Sequence, residues 1–384
     1  MNNKYLNRGV SSSKEEVHKA TEKIDSGPYK LAFCRSDQDP NNPDRLNILH
    51  ADGAGTKSAL AYAYWKKTND FNVWKNIATD AMVMNTDDML CVGIDNNFFV
   101  SSTIGRNKHL ISGDVISALI EGNILFCNKM KKYGINITLS GGETADVGDI
   151  VRTIIVDATA WSSILKKDFI SNEAISDGDV IVGLASFGQC EWEDEYNSGI
   201  GSNGLTSARH DLFNKSVGKE FPETFDHKIE KYAYTGKYNL TDPSPVNGID
   251  MGKLVLSPTR TYLPLMKMVF EKMRKNIHGL VHCTGGGQFK CLRFLKNIKV
   301  VKDNFFEIPP IFELILQNGT KPEEMYSTFN MGHRMEIFTD EKSAAEIIKM
   351  SNDVGIDAKI IGYCTKSNKN EVELKTPFGI LKKS

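Results

Sequence analysis

The chain has almost no net charge: 47 Lys and Arg against 48 Asp and Glu leave a formal −1 over 384 residues. Such a balance gives no domain-wide basic field with which to hold nucleic acid. Long hydrophobic runs are missing as well. None approaches the ~20 residues that cross a bilayer, so no membrane role is expected. The opening Met-Asn-Asn-Lys-Tyr-Leu-Asn-Arg lacks the apolar core of a signal peptide. Cysteines are few and odd in number, at 34, 91, 127, 190, 283, 291 and 364, and none forms Cys-x-x-Cys. That excludes a disulfide framework and any zinc site drawn by sequence spacing. The thiols read as reduced, and the expected location is cytoplasmic. Two catalytic signatures are also absent. No Gly-x4-Gly-Lys-Ser/Thr phosphate loop and no Gly-x-Ser-x-Gly nucleophile elbow occurs.

What is present is ordinary globular material, 40% hydrophobic and 25% charged. At ~150 residues per domain the length suits two domains. The seam is placed near 165–178, giving residues 1–170 and 171–384. Strands are predicted at Leu46–His50, Phe98–Ile104, Ile135–Leu139, Arg152–Ala160, Val180–Leu184, Gly279–His282, Met335–Phe338 and Ala358–Ile361. Helices are predicted over Lys14–Ile24, from about Trp74, and over Val115–Tyr133, Leu263–Arg274, Phe289–Leu295 and Ser343–Asn352. Residues 190–255 read as irregular. Strands and helices mix in both halves, which predicts an α+β architecture.

Four glycine-bearing elements carry the chemistry. They are Asp52-Gly-Ala-Gly-Thr-Lys57, Asp87-Asp88 with Gly93 five residues on, Gly141-Gly142-Glu143-Thr144, and His282-Cys-Thr-Gly285-Gly286-Gly287. Glycine lets backbone N–H groups approach a phosphate closely. A carboxylate beside such a turn can hold the magnesium that screens a polyphosphate. The triple glycine before a helix is a ready anion site. Each element alone could equally be a turn, a capped end or a solvated helix terminus.

Their order resembles the phosphoribosylformylglycinamidine cyclo-ligase (aminoimidazole ribonucleotide synthetase) family. Further stretches support the likeness: Ser198–Gly204, Leu256–Tyr262 and Tyr326–Gly332. The resemblance runs from about Tyr5 to Gly362. It implies a two-domain fold whose N-terminal mixed sheet forms a barrel across a homodimer, with a C-terminal α/β sandwich. It implies ATP-dependent closure of formylglycinamidine ribonucleotide to an imidazole, through phosphorylation of the formamide oxygen. ATP and magnesium would be required, with a potassium ion left open. Asp52, Asp88 and Glu143 would hold the metal and the ATP phosphates. Asp80 would lie near them. Gly53, Gly55, Thr56, Gly142, Gly285, Gly286 and Gly287 would cradle phosphate, and Lys57 would be its counter-charge and a catalytic group. Three departures stand out. Gly201 occupies a place where the family has a histidine, so His282, ahead of His210, is the expected catalytic substitute. The 30–44 segment replaces a glycine-rich one. His333-Arg334 follows Asn-Met-Gly where small residues are usual. A thiamine-monophosphate kinase of the same superfamily and a non-catalytic nucleotide-binding paralogue are the alternatives.

Overall fold

The first sheet owes its place to strands that alternate. In Ile154–Leu165 the even positions Val156, Ala158, Ala160 and Ile164 are buried, while Ile155 and Trp161 face outward. The computed structural model describes residues 4–10, 19–21, 23–25 and 27–384. Most of the expected helix at Lys14–Ile24 therefore lies outside the described residues. Strands are numbered β1 Asp37–Gln38, β2 Arg45–Gly53, β3 Phe98–Arg106, β4 Ile137–Asp146 and β5 Ile154–Leu165. They form a mixed sheet in the order β1-β2-β5-β3-β4, with only β3 and β4 parallel. Helices α1 (Lys57–Thr68), α2 (Asn72–Leu90) and α3 (Gly113–Lys131) cover one face, α2 lying directly on β2 and β5.

The second sheet has seven strands: β6 Val180–Ala185, β7 Ile277–His282, β8 Ile298–Lys302, β9 His333–Thr339, β10 Ala358–Lys366, β11 Glu371–Thr376 and β12 Gly379–Lys383. Their order is β12-β11-β8-β10-β6-β9-β7, antiparallel except for β8 with β11. Helices α4 (Leu263–Met273) and α5 (Glu341–Asp353) pack together, and α5 also lies on β6 and β10. The α+β architecture with two mixed sheets is as the sequence predicts.

Local readings fared unevenly. β4 does not end at Gly141 but runs on to Asp146. Ser140 and Gly141 form a β-bulge opposite Ser101, the register with β3 shifting between Val100 and Ser102, and a Cβ on the paired Gly142 would lie 2.3 Å from the Ser102 carbonyl oxygen. The segment after the triple glycine is a 3-10 helix, Gly287–Phe294, not an α-helix. Residues 190–255 are less irregular than expected, holding helices at Leu205–Leu212, Lys215–Glu220 and Met251–Leu256.

Candidate active site

Asp80, Asp87 and Asp88 lie at i, i+7 and i+8 on α2, so one stripe of the helix carries all three. A solvated helix end was one reading of this stripe, but all three residues are buried. Asp80 and Asp87 meet the loop Ser257–Tyr262 from the second half of the chain. Asp80 accepts from the Thr259 amide at 2.7 Å and hydroxyl at 2.6 Å. Asp87 accepts from the Thr261 hydroxyl at 2.7 Å and the Tyr262 amide at 2.9 Å. Lys57, at the start of α1, is wholly buried. Its ammonium donates to Asp80 at 2.9 Å and to the Ser257 carbonyl at 2.5 Å. Burial lowers the Lys57 pKa, Asp80 opposes that, and the nearby charge of Arg334 adds to the lowering. Lys57 thus acts first on a neighbouring carboxylate, and any influence on a bound phosphate passes through that pair.

Asp88 joins the halves. Its Oδ1 lies 2.6 Å from His282 Nδ1 and its Oδ2 lies 3.3 Å from His50 Nε2. His282, on β7, is completely buried. Its Nε2 accepts from Arg334 Nε at 3.1 Å, which puts the ring proton on Nδ1 facing Asp88. Both ring nitrogens of the expected catalytic histidine are therefore engaged within the protein. His50 differs. The Asn85 amide nitrogen donates to three carbonyls, including that of Asp52, which fixes the Asn85 oxygen as acceptor for His50 Nδ1 at 3.1 Å. His50 donates from both nitrogens and is an imidazolium. Burial works against that charge, but the hydrogen bond and charge of Asp88 lift its pKa to about 9. Reciprocally, burial would raise the Asp88 carboxyl, yet bonds from His282 and His50 hold it well below the usual carboxylate range. His210, the other candidate, is a buried core group whose Nδ1 accepts from the Tyr234 amide; burial and then Arg209 push its pKa down.

A pH prediction follows from His50. Its folded pKa of about 9 exceeds the unfolded value of 6.5. Its stabilisation is therefore full below pH 6.5 and lost as pH rises through 9. Melting temperature should fall across that window in the parent, and His50→Gln should flatten that limb. An identical alkaline limb in the variant would remove His50 as its source.

The remaining carboxylates lie along one end of the first sheet. Gly53 on β2, Asp157 on β5, Thr103 on β3 and Glu143 on β4 form one cross-strand row. Asp52 is one residue earlier, its Oδ1 accepting from the Gly53 amide at 2.7 Å. Asp52 and Asp88 come near each other around His50, since both charges act on that ring. Glu143 is three strand steps from β2, roughly 14 Å along the backbone row at ~4.8 Å per step. Asp52 and Asp88 both act on His50 through their charge, and Glu143 stands on the edge strand β4. Asp157 carried no sequence signal; only the strand register reveals it. Burial raises its pKa first and the charge of Asp52 raises it further. A carboxyl whose ionisation a neighbouring carboxylate opposes suits a divalent cation. Asp88, with both oxygens on imidazoles, is already occupied.

Two glycine loops complete the site. Thr56, at the head of α1, bonds Thr206 across the chain at 2.7 Å, drawing the 52–57 turn to the 198–206 segment. Ser202 bonds Thr259 at 3.0 Å. The triple glycine faces the same loop: a Cβ on Gly285 would lie 3.5 Å from the Asn203 side-chain oxygen. Gly285, Gly286 and Gly287 all have positive φ. Nearby, Cys283, His333 and Glu336 bring ligand atoms within 4.8 Å of one another, a cluster that no sequence spacing announces. Lys302 already sits against Glu336 as a fully buried partner, so the cluster has its cation.

The match to known proteins covers both halves. AIR synthase related protein, N-terminal domain, matches residues 39–163, and AIR synthase related protein, C-terminal domain, matches residues 176–375. A phosphoribosylformylglycinamidine cyclo-ligase of Methanocaldococcus jannaschii is 30% identical over 377 residues, 94% of this chain and 92% of that one. The enzyme of the same name from Alkaliphilus metalliredigens is 27% identical, covering 95% of this chain and 93% of its own. Among solved structures, AaThiL complexed with AMPPCP and TMP superposes with a TM-score of 0.55 at 11% identity, covering 96% and 95% of the two chains. T. maritima PurL complexed with ADP gives 0.52 at 12% identity, covering 95% of this chain and 47% of that one. At such identities the structural likeness speaks for the fold.

Proposed function

The chain belongs to the AIR synthase related family, and from that membership we propose that it is an ATP-dependent cyclo-ligase of purine biosynthesis. The substrate is formylglycinamidine ribonucleotide. The γ-phosphoryl group of ATP passes to the formamide oxygen: an O–P bond forms as the bond to ADP breaks. The amidine nitrogen then attacks the activated carbon, the C–O bond breaks, phosphate departs with the bonding pair, and the imidazole closes with loss of a proton. An amide oxygen leaves only once phosphorylated, so positioning and charge stabilisation are the protein's main tasks.

The observation that carries this reading is the junction of Asp88 with His282 and Arg334. It ties the carboxylate stripe of α2 to the glycine loops of the second half. Residues 1–170 supply the acidic rim and residues 171–384 the loops, with the family matches ending at 163 and resuming at 176. Asp52, Gly53, Gly55, Thr56, Gly142, Glu143 and the triple glycine line the nucleotide and phosphate path. Asp52 and Asp157 would hold magnesium, which screens polyphosphate charge when bound. Asp88 stays anionic and orients His282, and Lys57 sets the charge of the site floor through Asp80. Incubation with formylglycinamidine ribonucleotide, ATP and magnesium should yield ADP and the aminoimidazole product in equal amounts. ADP release with thiamine monophosphate but not with this ribonucleotide would assign the kinase alternative instead.

A homodimer is part of the proposal. The outer face of the first sheet shows Leu49 (68% exposed), Trp161 and Phe99 in one cross-strand row, with Ile155 nearby. An apolar patch of that kind on a sheet needs a cover, and a second copy of the sheet would close both into a barrel. Trp161→Glu should convert a dimer mass in solution scattering to a monomer mass. A parental protein that is already monomeric at micromolar concentration would end the idea. Among the described residues no helix is long and apolar enough to cross a membrane.

A further inference from the structure

Arg334 is a buried cation with an unspent donor. It stands on β9 with 1% of its surface exposed. Its Nε donates to His282 and its Nη2 to the Arg260 carbonyl. Its guanidinium carbon lies 5.5 Å from the Tyr262 ring centroid, so one face is packed. No ion pair to a carboxylate is present for it among the described residues. Nη1 has no hydrogen-bond partner. The buried Asp87 carboxyl feels the Arg334 charge without bonding it. A buried donor without an acceptor is costly, and Nη1 is such a donor.

What lies in front of that atom is Gly201. An ideal Cβ there would sit 3.3 Å from Arg334 Nη1, and Gly201 has φ +68°, where a side chain is strained. Any larger residue at 201 would crowd the unpartnered donor. The loop that holds Gly201 also holds Asn203, which faces the triple glycine, and Ser202, which ties to Thr259 and so to Asp80. The Nη1 side of Arg334 is therefore packed against the loop that meets the triple glycine. Lys57 stands close enough for its charge to register that of Arg334.

We propose that Arg334 Nη1 is the anion-recognition group of this site, donating to an oxygen of a tetrahedral phosphoryl group held between the loops around Gly201 and Gly285–Gly287. The proposal deepens the cyclo-ligase reading and rests on it for the identity of that phosphoryl group. A guanidinium is a donor-only cation, so it stabilises negative charge and transfers no proton.

Two variants test this, with inorganic phosphate as the equilibrium probe. Arg334→Lys keeps the charge but not the planar fork. Gly201→Ala keeps Arg334 and crowds Nη1. Phosphate should raise the melting temperature of the parent. In both variants phosphate should bind at least tenfold more weakly, with the phosphate-free melt within a few degrees of the parent. In the cyclisation assay kcat should fall ~10²–10³-fold, the usual effect of removing one oxyanion donor, with KM for ATP changed less than threefold. A parent that shows no phosphate-dependent shift overturns the proposal. So does parental phosphate affinity in either folded variant. If Arg334→Lys does not fold, Gly201→Ala decides alone. If the parent forms no imidazole product, the cyclo-ligase reading fails, while the phosphate titration still decides Arg334.

Discussion

Asp88→Asn is expected to lower kcat by ~10³–10⁴, the range known when an orienting carboxylate beside a histidine becomes an amide. Asp88 accepts from two imidazoles at once, His282 at 2.6 Å and His50 at 3.3 Å. Asparagine offers one acceptor and an NH₂ group. Whichever way it turns, the NH₂ confronts an N–H. If His282 turns or changes tautomer, Arg334 Nε loses its acceptor, and the guanidinium shifts off its mark. The variant carries a second readout. Without the Asp88 charge, the His50 pKa falls back toward its ordinary 6.5, and the alkaline loss of stability disappears. Steady-state rates and melts across pH measure both. A folded variant within tenfold of parental kcat would show that the junction is structural only.

Lys57→Met is expected to destabilise the protein by about 3–5 kcal/mol, because it leaves Asp80 as a buried carboxylate without its cation. Both members of the pair are fully buried. The double variant Lys57→Met with Asp80→Leu should recover only part of that loss, since no charge stays unpaired but the Thr259 amide and hydroxyl lose their acceptor. Denaturant unfolding of the parent, the single variants and the double variant makes the cycle. If Lys57 were instead a direct phosphate ligand, Lys57→Met would raise KM for ATP at parental stability. That result would displace the present assignment of Lys57 to the site floor.

The sequence alone determined the architecture and the cast of residues. Alternation set β5, and the 3.6-residue period set α2, α4 and α5, because those elements bury one face against a neighbour and the pattern records it. The helical spacing from Trp74 carried Asp80, Asp87 and Asp88 along the turns of α2, and the fold buries all three. The motif order, from Asp52 to Tyr326–Gly332, carried the family. Tertiary structure decided the rest. The bulge at Ser140-Gly141 looked like a turn because only the approach of Ser102 on β3 tells a bulged strand from a bend. Asp157 was invisible because a cross-strand row is fixed by register, which no local pattern contains. His50 is an imidazolium only because α2 brings Asn85 and Asp88 against β2. Arg334 showed in the sequence as an oddity after a glycine. Its unpartnered Nη1, packed against Gly201, comes from three segments more than 50 residues apart that meet only in the folded chain.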